Sequence, residues 1–164
     1  MRGHVTPFRP AWLAASAALA LQGLAPASAA TAAEKAAIER GRYVVRIAGC
    51  NDCHTPGYLA ANGKIDEKLW LTGDALGWRG PWGTTYPINL RLYMAGLTQQ
   101  QWLDRVKTMQ PRPPMPFFNV QAMSVQDQKA VYQFIKSLGP GGQNAPAWVP
   151  PDKAPPQPFV QFPG

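Results

Sequence analysis

Apolar residues recur at helical spacing in three parts of the chain, and the first of these follows Thr31. Thr31 and Glu34 have the spacing of a capping box, in which each side chain bonds an amide group near the helix start. We predict a helix from there to about Ala48, where Gly49 ends it. Gly41 lies inside this helix, where glycine costs about 1 kcal/mol relative to alanine. We therefore expect another backbone segment to approach the helix closely at Gly41.

The other two helical patterns lie in the second half of the chain. One begins at Thr98 and ends before Pro111. The other begins at Ser124, which with Asp127 has the sequence of a second N-cap, and ends at Gly139. The expected apolar faces comprise Trp102, Val106 and Met109 in the first of these helices, and Val125, Val131, Phe134, Ile135 and Leu138 in the second.

The segment from Thr55 to Arg91 has no regular spacing, because glycine and proline residues interrupt every candidate element. Trp70, Trp78 and Trp82 lie within it, and a long loop rich in aromatic residues needs a large apolar body to pack against. The sequence therefore predicts long irregular loops around a core that is not wholly protein. Residues 143–164 are rich in proline and predict an extended tail.

The first 29 residues have the pattern of a signal peptide. Arg2 and Arg9 give a positive start, an apolar stretch covers Ala11 to Leu24, and small residues end the segment. An uncleaved membrane anchor is the alternative, but the apolar run is shorter than the ~20 residues that a membrane span requires. We expect export to the periplasm and no membrane span after signal cleavage.

The chain has 164 residues and a formal charge of +7, which falls to +5 when Arg2 and Arg9 are removed. A length of this order suits one domain. The lysines and arginines are scattered, with no basic run and no motif that reads nucleic acid. We expect no nucleic-acid partner. A weak attraction to an acidic protein or membrane surface is the more natural consequence of this charge.

The candidate chemistry lies in the sequence Cys50-Asn51-Asp52-Cys53-His54, which contains both cysteines of the chain. This C-x-x-C-H pattern is typical of covalent haem c attachment. Two thiols add across the vinyl groups of one porphyrin edge, and the imidazole of the next residue binds the iron. Cys50 and Cys53 are thus the candidate thioether residues and His54 is the candidate proximal ligand.

Haem attachment competes with four alternative interpretations of this motif. A disulfide between Cys50 and Cys53 would close too short a loop to add much stability. A thioredoxin-like pair would be flanked by alternating strands and helices, which this sequence does not show. A zinc site needs about four ligands, and few soft ligands besides these three residues remain after signal cleavage. The fourth alternative is that the motif occurs by chance. The expected export and the loop-rich middle of the chain both agree with haem attachment and so argue against chance.

A methionine is the natural candidate for the sixth iron ligand, because His4 would leave with the signal peptide. Packing accounts for Met94 and Met109, which lie among apolar residues at helical spacing. Met115 lies in "RPPMPFF", where no helix or strand accounts for it and the prolines restrict the backbone. We predict Met115 as the ligand, with Met123 as the second choice.

Two stretches, "RGRYVVRIAGCNDCHTPG" and "MPFFNVQAMSVQDQKAVYQFIKSLGPGG", resemble the single-haem cytochromes c of class I. The resemblance covers roughly Glu34 to Gly142. The sequences "GPWGTTYPINL" and "RPPMPFFNVQAMS" are similar, more narrowly, to cytochrome domains that accompany periplasmic alcohol and sugar dehydrogenases. The domain organisation expected from this is a signal peptide at 1–29, a cytochrome domain at 30–142 and the tail at 143–164.

The resemblance implies an all-α cytochrome c fold, with three to four helices wrapped around a covalently bound haem. It also implies that the first and last helices cross at Gly41, close to Phe134 and Ile135. A proline carbonyl, with Pro81 as the candidate, would accept the ring N–H of His54. It further implies a rim of basic residues around the exposed haem edge, comprising Arg42, Arg46, Arg112, Lys129 and Lys136.

The function expected from these features is electron transfer rather than catalysis. With His54 and Met115 both on the iron, no position remains open for a substrate. The expected partners are redox proteins, namely a periplasmic dehydrogenase and a terminal oxidase or another cytochrome. Two alternatives stay open. One is a haem sensor or small-molecule enzyme with a displaceable sixth ligand, and the other is a structural subunit whose proline-rich tail docks on a larger enzyme.

Overall fold

The structure, a computed structural model, describes Met1, Gly3 and residues 31–163. The expected signal peptide therefore lies outside the described residues, apart from those two positions. Within the described part of the chain there are six α-helices: α1 Ala32–Ile47, α2 Cys50–His54, α3 Leu90–Ala95, α4 Gln99–Thr108, α5 Phe117–Ala122 and α6 Val125–Ser137. Three short strands accompany them: β1 Gly77–Gly80, β2 Gly83–Thr85 and β3 Phe159–Gln161.

The helix starts expected from the sequence are confirmed. At the start of α1, the amide of Thr31 donates to Glu34 Oε2 at 2.6 Å and the amide of Glu34 donates to Thr31 Oγ1 at 3.2 Å. Thr98 caps α4 in the same way. The Ser124 hydroxyl accepts from the Asp127 amide at 3.0 Å and caps α6. These signals are local, so the side chains near each helix start are sufficient to place it.

The expectation of an all-α fold with three to four helices is wrong. The described residues form a mixed structure, 44% helical and 8% strand, that includes a three-stranded sheet in the order β2-β1-β3. β1 pairs with β2 as an antiparallel hairpin and with β3 in parallel. The sheet is absent from the sequence pattern because its strands are three or four residues long and β3 lies in the proline-rich tail.

Helices α1 and α6 cross at Gly41. A methyl group at Gly41 would overlap the backbone carbonyl of Ala130 and lie 2.7 Å from Cβ of Phe134. Phe134 is fully buried at this crossing. On the outer side of the crossing, Arg40 Nε donates to Asp127 Oδ1 at 2.7 Å. The absence of a side chain at Gly41 thus lets the two helix backbones touch, as expected.

The buried core lies around this crossing and extends to the central loops. It contains Val44, Val45, Trp70, Leu71, Met94, Trp102, Leu103, Val106, Val120, Val131, Phe134 and Ile135. Gln128 is buried beside this core, and its Nε2 donates to the carbonyls of Val120 at 3.1 Å and Met123 at 3.2 Å. Its backbone carbonyl accepts from the indole of Trp102 at 2.9 Å. Gln128 therefore joins α4, α5 and α6.

Helix α3 lies at the end of the segment for which the sequence predicts no regular structure. Arg91 in α3 is buried, and its guanidinium donates to three backbone carbonyls. These belong to Gly139 at 2.7 Å, Lys68 at 2.6 Å and Leu138 at 2.5 Å. The carbonyls of Leu138 and Gly139 lie at the C-terminal end of α6, where a cation interacts favourably with the helix dipole. Arg91 thus ties the central loops to the end of the last helix.

The proline-rich tail packs along the β1–β2 hairpin. β3 extends the sheet, and the ring of Phe162 lies 5.9 Å from that of Trp78 and 5.4 Å from that of Trp82. Arg79 donates to the carbonyl of Lys153 at 3.0 Å. Nearer the start of the tail, the amide and carbonyl of Val149 bond those of Thr84. The tail is therefore attached to the hairpin at several points along its length.

We predict that Gly41→Ala lowers the free energy of unfolding by about 1–3 kcal/mol, the usual cost of overpacking a buried contact. The added methyl group must push apart two helix backbones that cannot rotate out of its way. Urea denaturation followed by circular dichroism measures the change.

Gly96→Ala is the matched control, since Gly96 has an ordinary φ of −84° and an added Cβ would have its nearest neighbour at 3.9 Å. An equal effect of the two substitutions would show that the helix crossing does not depend on Gly41.

Candidate functional site

The two cysteines and His54 lie on one short helix, α2, which a glycine turn separates from α1. Gly49 has a φ of +69°, and its carbonyl accepts from the Asp52 amide at 3.1 Å. This left-handed conformation favours glycine, and it separates the end of α1 from the start of α2. Cys50 and Cys53 are three residues apart on α2, so their side chains point to the same side of it.

Neither thiol is in a disulfide, and both are half-buried. Burial raises the pKa of the Cys50 thiol to about 11, and the nearby Asp52 carboxylate contributes. Burial also raises the pKa of Cys53, with smaller contributions from Asp52 and Asp74. Both groups are therefore neutral thiols at pH 7. A thioredoxin-like pair has a lowered thiol pKa, so this environment does not favour that alternative.

The His54 ring is almost fully buried, and its two nitrogens differ in their surroundings. Nδ1 lies 2.8 Å from the carbonyl oxygen of Ile88. A carbonyl can only accept, so Nδ1 carries the proton and donates it. Nε2 makes no hydrogen bond to the described residues, which leaves its lone pair free. Burial lowers the pKa of His54, with the Ile88 bond opposing part of that change. The neutral imidazole is the form that binds a metal ion.

The carbonyl that orients His54 comes from Ile88, and the expectation of Pro81 is wrong. Pro81 is exposed in the turn between β1 and β2. Ile88 directly precedes Asn89, the N-cap of α3, whose side chain accepts from the Leu92 amide at 3.0 Å. Asn89 before the apolar residues of α3 is a sequence signal for the start of that helix. No side-chain pattern identifies the carbonyl of Ile88 as the acceptor.

A chain of buried hydrogen bonds joins α2 to α3. The hydroxyl of Thr55 donates to Asn51 Oδ1 at 2.7 Å and accepts from the Leu71 amide at 2.8 Å. The carbonyl of Leu71 then accepts from the amide of Leu90 at 3.0 Å. Since Asn51 and Thr55 are almost completely buried, these bonds are shielded from water. They hold His54 and Ile88 in a fixed relation to each other.

The two candidate methionines lie at opposite ends of α5. Met115 precedes the helix, and its carbonyl accepts from the Phe117 amide at 2.9 Å. Met123 ends the helix, and its carbonyl accepts from Gln128. Both side chains are half-buried and pack against the hydrophobic core, as does Cys50. Met115 therefore borders the same core as the cysteine motif, from a separate segment of the chain.

The β1–β2 hairpin and its extension present buried polar atoms that find no hydrogen-bond partner among the described residues. They are Trp78 Nε1, Thr84 Oγ1, Thr85 Oγ1 and the Tyr86 hydroxyl. Trp78 and Thr85 are directly opposite each other in the antiparallel pair, so their side chains share one face. A buried polar group without a partner costs about 1–3 kcal/mol, so water or a ligand that bonds these atoms would stabilise the hairpin.

Cys50, Cys53 and His54 have the chemistry that haem c attachment requires. They offer two neutral thiols on one side of a helix and a histidine nitrogen with a free lone pair. A zinc site is not supported: among residues 31–163, no three His, Cys, Asp or Glu side chains lie close enough together to hold a metal ion.

Comparison with protein families, with curated proteins and with solved structures found no match to the chain. The resemblance to cytochromes c therefore rests on the motifs of the sequence. None of the described helices has the length and apolar character needed to cross a membrane.

We predict that Asn89→Ala lowers the free energy of unfolding by about 2–4 kcal/mol. The substitution removes the cap of α3, worth about 1 kcal/mol. It also removes two hydrogen bonds, from Asn89 Nδ2 to the carbonyls of Gly141 at 2.7 Å and Gln143 at 3.1 Å, each worth about 0.5–1.5 kcal/mol. Urea denaturation provides the measurement.

Asn144→Ala serves as the control, because Asn144 is exposed and its side chain makes no hydrogen bond to the described residues. If both substitutions leave stability unchanged, Asn89 does not fix the segment that carries Ile88.

Proposed function

We propose that the protein is a periplasmic c-type cytochrome that carries one haem c and transfers single electrons between redox proteins. The observation that carries this proposal is the hydrogen bonding of the two ring nitrogens of His54. Its Nδ1 proton is held by the Ile88 carbonyl and its Nε2 is free, directly after two unpaired thiols on the same helix. A metal-binding histidine almost always donates its other ring N–H in this way.

Cys50 and Cys53 would hold the haem covalently. Each neutral thiol would supply its sulfur and its hydrogen to one vinyl group, which gives a thioether bond without an oxidant. The raised pKa of Cys50 is consistent with a thiol that stays protonated until this reaction. The two cysteine side chains lie on the same side of α2, so both could hold one haem.

His54 and Met115 would be the two protein ligands that hold the iron. When bound, the iron supplies one-electron redox chemistry. The hydrogen bond to Ile88 fixes the orientation of the His54 ring and makes Nε2 a stronger donor. A thioether ligand favours the reduced state of the iron and raises its potential. With both ligands supplied by the protein, the site has no place for a substrate, so we assign a carrier rather than an enzyme.

The basic rim differs in detail from the one expected from the sequence. Arg42 is paired with Glu39 and donates to Glu67 at 2.7 Å, so its charge is largely offset. The other four residues of the expected rim, Arg46, Arg112, Lys129 and Lys136, are exposed and form no ion pair with the described residues. We assign to these four the weak attraction toward an acidic redox partner, such as a periplasmic dehydrogenase as donor and a terminal oxidase or another cytochrome as acceptor.

We predict that the protein, produced with the haem-maturation machinery, retains its haem through acid-acetone extraction. The reason is that two thioether bonds survive conditions that remove a non-covalent haem. Cys50→Ala and Cys53→Ala should each leave one thioether, which shifts the reduced α band of the pyridine haemochrome. Extraction of all colour from the wild-type chain would contradict covalent attachment.

We predict that Met115→Leu opens the sixth position, whereas Met123→Leu does not. Both substitutions conserve volume, so each removes a sulfur atom and leaves little cavity. For Met115→Leu we expect carbon monoxide to bind the reduced protein and the potential to fall by on the order of 0.1 V, within the ~0.8 V range that axial ligands span. Absorption spectra and a redox titration measure both effects.

The opposite pattern would make Met123 the ligand. If the unaltered protein already binds carbon monoxide rapidly, the sixth position is open or displaceable. That outcome would favour a haem sensor or a small-molecule enzyme over an electron carrier.

A further inference from the structure

We infer that Trp148 in the proline-rich tail is a positioning residue for Met115, acting through Arg112. The inference rests on the proposed role of Met115 as an iron ligand. It concerns a contact that joins two segments far apart in the sequence, namely the tail and the segment 110–116 that precedes α5. The guanidinium carbon of Arg112 lies 4.2 Å from the centre of the Trp148 ring, the shortest cation–π contact among the described residues.

The segment 110–116 has few contacts of its own that could fix Met115. It contains four prolines, which have no amide proton to donate. The amides of Gln110, Arg112 and Met115 donate no hydrogen bond to the described residues. The segment is therefore held mainly by the side chains of Met115, against the core, and Arg112, against Trp148.

Trp148 itself is firmly attached to the β1–β2 hairpin. Its indole Nε1 donates to the carbonyl of Trp82 at 3.0 Å. The next residue, Val149, exchanges backbone hydrogen bonds of 2.7 and 3.0 Å with Thr84. Gly83 permits this approach, since a methyl group there would overlap the Val149 carbonyl and lie 2.8 Å from the Trp148 Nε1. The indole is thus a fixed surface on which Arg112 rests.

Arg112 has no other partner that could account for its position. It forms no hydrogen bond and no ion pair with the described residues, and it is exposed. A guanidinium over an indole face at an exposed site contributes ~0.5–1 kcal/mol. We call the segment 110–116 open when the Met115 sulfur has left the iron. Loss of this contact would raise the population of the open segment about two- to five-fold, but it is too small a change to unfold the chain.

The test measures the affinity of imidazole for the oxidised full-length holoprotein. Imidazole can bind the iron only when the Met115 sulfur has left it, so its apparent affinity follows the fraction of open segment. We expect Trp148→Leu and Arg112→Gln each to tighten imidazole binding about two- to five-fold. The far-red absorption band of the sulfur–iron(III) bond should weaken at correspondingly lower imidazole concentrations.

Three further variants make the result specific. The double variant Trp148→Leu with Arg112→Gln should bind imidazole no more tightly than either single variant, because both remove the same contact. Trp148→Phe, which keeps an aromatic face over Arg112, should recover most of the wild-type affinity. Lys64→Gln removes an exposed positive charge that forms no ion pair with the described residues, in a different loop, and should have no effect.

Arg79→Gln separates this contact from a general loosening of the tail. Arg79 donates to the tail carbonyls of Lys153 and Pro151 and does not touch Arg112. If Arg79→Gln tightens imidazole binding as much as Trp148→Leu, or if the two effects of Trp148→Leu and Arg112→Gln add, the inference is wrong. If Trp148→Leu does not fold, the comparison of Arg112→Gln with Lys64→Gln still tests the inference.

Met115→Leu, measured in the same assay, distinguishes failure of this inference from failure of the proposed function. Loss of the far-red band in Met115→Leu, together with wild-type affinity in Trp148→Leu, would overturn only the positioning role. An unchanged band in Met115→Leu would show that Met115 is not the ligand, and both proposals about it would then fall.

Discussion

The contact between the backbones of α1 and α6 at Gly41 is the constraint on which the rest of the structure depends. A side-chain contact can adjust by rotation, but two backbones in contact fix the position of both helices. The Cys50–His54 motif follows directly from the end of α1. Helix α6 in turn holds α5 through Gln128, and α5 follows directly after Met115. The two candidate ligand segments are therefore placed relative to each other by one crossing point.

The candidate site combines neutral forms of its titratable groups with buried hydrogen bonds between neutral partners. Burial keeps the thiols protonated and favours the uncharged imidazole of His54. In the same region, the Asn51–Thr55–Leu71 bonds use neutral partners only. Because these groups are uncharged, the site does not have to bury a charge before a ligand binds. The Ile88 carbonyl bonds Nδ1 of His54, so Nε2 is the nitrogen that remains available.

The parts of the fold that the sequence predicts are those determined by neighbouring residues. Thr31, Thr98 and Ser124 mark helix starts because a cap is formed within four residues. The sheet could not be predicted, since β1 and β3 are separated by about half of the chain and neither has a strand-like pattern. The role of the Ile88 carbonyl cannot be predicted for a different reason. Any residue type can supply a backbone carbonyl, so only the fold determines which one reaches His54.

The parallel pairing of β3 with β1 has a consequence for how the chain assembles. Gln161 bonds the carbonyl of Arg79, 82 positions earlier in the sequence, so this contact closes a very large loop. The entropy lost in closing a loop grows with its length, and contacts of this kind form late compared with helices and hairpins. Until Phe159 arrives, one edge of β1 has unpaired amide and carbonyl groups. A chain shortened before Phe159 would keep that edge open, and an open strand edge is a template on which other chains can pair and aggregate.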